Sequence, residues 1–249
     1  MTILRKESDM LATLNRLIDG IPLTEYLDSD AGIARGVFFL VHGHTGNRTH
    51  LHDLATRVAA AGWLAVAVDA YKHGERRAAP YFGTDGHAQA MAMPEVLIHT
   101  CADLKHLTET YYAAHAPHFF YGGTSMGGHI AFQMPKYVKA EGIMPLIGSP
   151  DQYRHFAVTK YPVVGLAGIE RLKPLLDQLE IGPDYTPYMD VRIVISNGTE
   201  DPVVDYRFVV DFHDALVRAG HEKVTIALYP IGHVVPDEMQ EAALAALLD

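Results

Sequence analysis

The chain has 249 residues, 49% hydrophobic and 20% charged, with 30 acidic against 20 basic side chains and a formal charge of −10. That balance excludes nucleic acid or an anionic membrane surface as the main partner, because phosphate binding needs clustered Lys and Arg. The length suits one α/β domain over residues 1–249, which buries about three quarters of its unfolded surface and needs neither disulfide nor structural metal.

The opening Met1-Thr2-Ile3-Leu4-Arg5-Lys6-Glu7-Ser8 has no apolar h-region, so it is not read as a secretory signal. No apolar run approaches the roughly 18 residues of a membrane span. A cytoplasmic protein is the expectation. Met10 to Ile18 reads as a helix and Ile21 to Leu27 as an outer strand. Val37 to Val41 is a buried-strand run, followed by a helix from about His50 to Ala61 and a strand at Trp63 to Val68. A long helix covers about Gln89 to Ala114, with its single cysteine, Cys101, among Val96, Leu97, Leu104 and Leu107 as a small core residue. The strand His118 to Tyr121, a helix over Met126 to Val138, and strands at Ile143 to Ile147, Val191 to Ile195 and Val224 to Leu228 complete the pattern. Continuously apolar strands interleaved with helices predict a mainly parallel sheet covered on both faces.

Two segments break the rhythm, Tyr71 to Gly86 and an insertion over 149–188 that carries five prolines. Both fall on the carboxyl side of the sheet, where open α/β sheets bind ligands.

Gly123-Thr124-Ser125-Met126-Gly127 stands between the strand ending at Tyr121 and the following helix. A glycine-flanked serine in that context makes a strained strand-to-helix turn that exposes its hydroxyl above a helix N-terminus. The bland alternative is a serine that only caps the helix. Ser125 is the candidate nucleophile. His42-Gly43-His44-Thr45-Gly46 follows the first strong strand. It leaves backbone N–H groups free for an oxyanion hole, with His44 as the first choice, Thr45 next, and Met126 supplying the second N–H. His42, His44, His50 and His52 lack the cysteine or carboxylate framework of a metal site.

A serine hydroxyl needs a histidine to take its proton and a carboxylate to orient that histidine. Hydrolases with this turn place the acid and base after the serine in the chain. Five histidines follow Ser125: His129, His155, His213, His221 and His233. The first four lie along a helix, in the insertion, on a helix and at that helix's end. His233, in the loop after the last strand, is the base by elimination and position. Asn197 to Val204 is the loop for the acid; Asp201, held extended by Pro202, leads, with Glu200 and Asp205 in reserve. Asp201 could instead cap the next helix, one carboxylate being poorly placed to do both.

Taken in order, His42-Gly43-His44-Thr45-Gly46, Gly123-Thr124-Ser125-Met126-Gly127, Gly198-Thr199-Glu200-Asp201 and Gly232-His233 resemble the α/β-hydrolase superfamily. Asp69-Ala70-Tyr71-Lys72-His73-Gly74-Glu75-Arg76 is similar to the D-x-x-x-H-G-x-R segment of small bacterial esterases related to dienelactone hydrolases and prolyl-oligopeptidase-like hydrolases. The resemblance covers about residues 35–249. It implies a three-layer α/β-hydrolase fold with a mainly parallel sheet of seven to eight strands and a short cap at 149–188. It also implies a serine carboxylesterase acting on small or medium acyl esters through an acyl-enzyme, without a cofactor or metal. Dienelactone hydrolases proper carry cysteine at the elbow, so Ser125 departs from them and speaks against lactone specificity.

Asp69, His73 and Arg76 are expected to organise the loop beneath the site. Tyr71, Tyr153 and Phe156 are expected at the substrate, with Tyr161, Tyr185, Tyr188 and Met189 forming either an aromatic lid or a satellite core. A thioesterase, an acyltransferase or a small peptidase would share the chemistry. A silent hydrolase-fold binding protein would need a broken triad. The partner is a small-molecule ester, and self-association is left open.

Overall fold

The structure is a computed structural model and describes residues 11–28, 34–77, 85–114 and 116–248. In chain order the first half holds β1 (Leu11–Ile18), β2 (Ile21–Asp28), β3 (Val37–Val41), α1 (His52–Ala60), β4 (Leu64–Val68) and α2 (Gly86–Leu107). The second half holds β5 (Phe119–Thr124), α3 (Met126–Gln133), β6 (Gly142–Leu146), α4 (Gln152–His155), α5 (Tyr161–Leu179), β7 (Arg192–Gly198), α6 (Arg207–Arg218), β8 (Val224–Tyr229) and α7 (Asp237–Leu248). Met1 to Ser8, Met10 and residues 78–84 of the Tyr71–Gly86 segment lie outside the described residues.

All five residues of β3 are buried, as expected of a strand covered on both faces. Alternation sorts them: Phe38 and Leu40 pack with Leu54 and Val58 of α1 and Leu247 of α7. Val37, Phe39 and Val41 pack with Val96 and Leu97 of α2 and Ile130 of α3. Cys101 is fully buried on the same side, where burial pushes its thiol pKa up. It is a core residue.

The eight strands form one sheet in the order β1-β2-β4-β3-β5-β6-β7-β8. β3 to β8 run parallel, and β1 and β2 are added antiparallel at one edge. Chain order reverses around β3, which has β4 on one side and β5 on the other. Loops leaving β3 and β5 diverge there and open a crevice at their carboxyl ends.

The helix expected at Met10 to Ile18 is instead a strand. Leu11 to Ile18 pairs with β2 from Leu11↔Asp28 to Ile18↔Ile21. The turn is Asp19-Gly20, with φ of 48° and 79°, the backbone that an Asp-Gly hairpin turn requires. A helix here would have no apolar face to bury, since Leu14 is 56% and Leu17 69% exposed. The insertion over 149–188 folds as α4, a π-helical turn at Phe156–Lys160, and α5, which bends at Gly165 and lies along α2.

Candidate active site

Ser125 ends the strand and starts the helix at once. Its N–H donates to the Leu146 carbonyl at 2.9 Å, extending the β5–β6 ladder, and its carbonyl accepts from His129 N–H at 2.9 Å. Doing both forces φ to 56° and ψ to −109°, a conformation a residue with a Cβ adopts only when its surroundings impose it. The surroundings are tight. A Cβ on Gly127 would stand 1.9 Å, and one on Gly123 2.2 Å, from the Val41 carbonyl oxygen. The Ser125 side chain makes no capping hydrogen bond to the helix. Its hydroxyl lies 2.9 Å from His233 Nε2.

His233 sits in the loop between β8 and α7 and donates from Nδ1 to Asp201 Oδ2 at 2.7 Å. That bond places the imidazole proton on Nδ1 and leaves Nε2 to accept from the serine. Asp201 also takes the N–H groups of Val203 at 2.7 Å and Val204 at 3.0 Å on Oδ1. One carboxylate therefore holds His233 on one oxygen and the N–H groups of its own turn on the other, and it does not cap the next helix. The turn it orders precedes α6, whose first N–H is instead taken by Asp205, also paired with Arg207. Burial raises the Asp201 pKa, but the hydrogen bonds from His233, Val204 and Val203 outweigh it and hold the carboxyl below its usual value. Glu200 is exposed on the surface of the same turn.

The loop after β3 borders the elbow: a Cβ on Gly43 would lie 3.6 Å from Ser125 Cβ. His42 is buried beneath it, donating from Nδ1 to the Gly43 carbonyl at 2.7 Å and accepting the Ala70 N–H on Nε2 at 3.1 Å. Asp69, fully buried, accepts the N–H groups of Arg48 and Glu75 and pairs with the Arg48 guanidinium. Arg76 pairs with Asp103, and His73 Nδ1 bonds the Tyr71 carbonyl. Asp69, His73 and Arg76 thus tie the β4 loop to β3 and α2, with Arg48 as the partner the sequence did not point out. A buried carboxylate without its cation costs about 3–5 kcal/mol, which is why Arg48 is held so closely.

A cavity of about 380 Å³ opens over Ser125, lined among the described residues by His44, Met126, His129, His155, Lys160 and His233, with apolar contributions from Met93, Ile147, Val203, Val234 and Val235. The three side chains expected at the substrate lie elsewhere. Phe156 is fully buried in the core. Tyr153 is 42% exposed on the outer face of the insertion. Tyr71 stacks on His99 at 4.5 Å. Tyr185 and Tyr188 pack edge-on to Phe212 of α6, so these aromatics form a core beneath the insertion rather than a lid. What the insertion brings to the cavity is polar: His155 and Lys160.

Several imidazoles here are held neutral. Burial pushes His42 and His129 down to about 4 and His155 well below its ordinary value. Since the unfolded chain binds these protons from about pH 6.5, it holds more protons than the folded chain as pH falls toward 4, and stability is lost over that window. The Asp201 contribution persists above its unfolded value near 3.9 and disappears only below it. Urea unfolding at pH 7, 6 and 5 should show a loss on the order of 1–2 kcal/mol per buried imidazole by pH 5. Constant stability over that range would contradict it.

The sheet order, the strained serine turn after β5, and the loops after β7 and β8 that carry Asp201 and His233 are those of the α/β-hydrolase fold. Comparison with solved structures agrees. TT1662 from Thermus thermophilus is similar over 95% of this chain and 96% of its own, at 20% identity and a TM-score of 0.73. Acetyl xylan esterase 1 from Thermoanaerobacterium sp. JW/SL YS485 is similar over 99% and 85%, at 15% identity and 0.66. The Pyrococcus furiosus esterase Pf2001 is similar over 95% and 91%, at 15% identity and 0.61. No protein-family model and no curated protein sequence matches the chain. Among the described residues no helix is long and apolar enough to cross a membrane.

Proposed function

We propose that the chain is a serine carboxylesterase. The observation that carries this is the continuous relay from Asp201 Oδ2 through His233 to Ser125 Oγ, at 2.7 and 2.9 Å, opening into the cavity. Ser125 attacks the ester carbonyl while His233 takes its proton, and Asp201 stabilises the resulting imidazolium. The N–H groups of His44 and Met126, both bordering the cavity, receive the negative oxygen. His233 returns the proton to the departing alcohol, then activates water to release the acid from the acyl-enzyme. The names borne by two of the similar structures, an acetyl xylan esterase and an esterase, support ester hydrolysis.

A fluorophosphonate probe should label Ser125 and abolish hydrolysis of 4-nitrophenyl acetate. Absence of labelling, with turnover surviving the loss of Ser125, would overturn the reading. The insertion beside the cavity is short, α4, one π-helical turn and α5, a cap size that favours short or medium acyl chains. Across 4-nitrophenyl esters from C2 to C16, kcat/KM is therefore expected to peak among the short or medium chains. A maximum at the long end would show that the insertion opens a groove for lipid.

A further inference from the structure

The cavity over Ser125 has a polar wall that the hydrolytic relay does not use. Lys160, at the end of the π-helical turn Phe156–Lys160, lines it and is half-buried. Among the described lining residues it is the one lysine or arginine, and none of them is a carboxylate. It forms no ion pair or hydrogen bond with the described residues, although the chain carries 30 acidic residues. A buried charge is paired as a rule, and an ammonium partly withdrawn from water gains from a counter-ion.

Its neighbours repeat the pattern. His129 accepts the Ser149 N–H on Nδ1 at 2.8 Å, so its own proton sits on Nε2, which no described residue accepts. His155 stands 4.9 Å from that ring, is 3% exposed, and keeps a buried Nδ1 with no partner. A lysine without a counter-ion and an imidazole N–H without an acceptor thus share one cavity with the nucleophile. What completes them is a monoanion with two acceptor oxygens.

We propose that this wall selects esters that carry a carboxylate in addition to the ester group, with Lys160 as the specificity-determining residue. The inference rests on the esterase reading of Ser125. Half-esters of short dicarboxylic acids and acetates of short hydroxy acids each place such a carboxylate in the same cavity as the ester. A polar wall raises specificity most when a mismatched ligand leaves its groups unpaired. A neutral ester of equal length strands the ammonium beside an apolar chain, whereas the carboxylate satisfies it.

The test compares kcat/KM in two matched pairs: monoethyl glutarate against ethyl pentanoate, and 4-acetoxybutanoate against butyl acetate. Wild type should favour the carboxylate member of at least one pair, and the pair tells which side of the ester faces Lys160. In Lys160→Met that ratio should fall roughly 10- to 100-fold, as for a lost charge-assisted hydrogen bond, and through KM more than kcat. Lys160→Arg should restore most of it. A ratio unchanged in Lys160→Met, or an equal loss for both members, would overturn the proposal, the latter placing Lys160 at the oxyanion or in the fold.

Turnover that survives Ser125→Ala, or no turnover at all, would count against the esterase reading instead. Calorimetry with glutarate then decides the site. Binding by wild type and none by Lys160→Met sustains it, and no binding by wild type overturns it.

Discussion

Ser125→Ala is expected to lower kcat/KM for a short ester by roughly 10⁵- to 10⁶-fold, the loss seen when a triad nucleophile is removed and only binding and oxyanion stabilisation remain. The loss should come without unfolding, because the Ser125 side chain makes no capping bond and, among the described residues, its hydroxyl hydrogen-bonds only to His233. Alanine keeps the φ of 56°, a strain that costs about 1–3 kcal/mol. Glycine carries no such penalty, though its unfolded chain is freer by about 0.4–1 kcal/mol. Ser125→Gly should therefore be equally inactive and more stable than Ser125→Ala by about 1 kcal/mol in urea unfolding. Residual activity within a hundredfold of wild type would remove Ser125 from the chemistry. Equal stability of the two variants would show that the turn is not strained.

Asp201→Asn should lower kcat by about 10⁴-fold at neutral pH. The substitution keeps an oxygen for the N–H groups of Val203 and Val204, so the turn persists. It places an amide where His233 Nδ1 now donates. The imidazole must turn or change tautomer, and Nε2 then no longer accepts from Ser125. Unfolding stability should change little, which separates misplacement of the base from loss of fold. The reserve carboxylates supply the control. Asp205 is committed to Arg207 and Glu200 is exposed, so Asp205→Asn and Glu200→Gln should alter kcat by no more than roughly threefold, as for surface changes. Large losses in either variant, with Asp201→Asn active, would move the acid.

Much of this arrangement was legible as one-dimensional pattern. The buried strands announce themselves because both faces of a parallel sheet are covered, leaving β3 and β4 uninterruptedly apolar. The elbow is legible because only glycine fits where Gly123 and Gly127 approach the Val41 carbonyl. His233 and Asp201 stand out by their order and by following strands. The first strand is not legible in this way: Leu11, Leu14 and Leu17 lack the alternation of a half-buried strand, and Asp19-Gly20 carries the hairpin signal.

Local pattern alone thus determined the layered α/β architecture, the serine turn, and the loops that carry His233 and Asp201. Each depends on backbone demands that a few neighbouring residues meet. Only the tertiary structure decided what lines the cavity. Phe156 and Tyr153 belong to one helical segment, yet its packing against α2 and α6 buries one and exposes the other. The same packing turns His155 and Lys160 toward Ser125, across residues far apart in the chain. Burial of an aromatic or exposure of a lysine is a property of what covers it, and in this insertion the cover comes from distant helices.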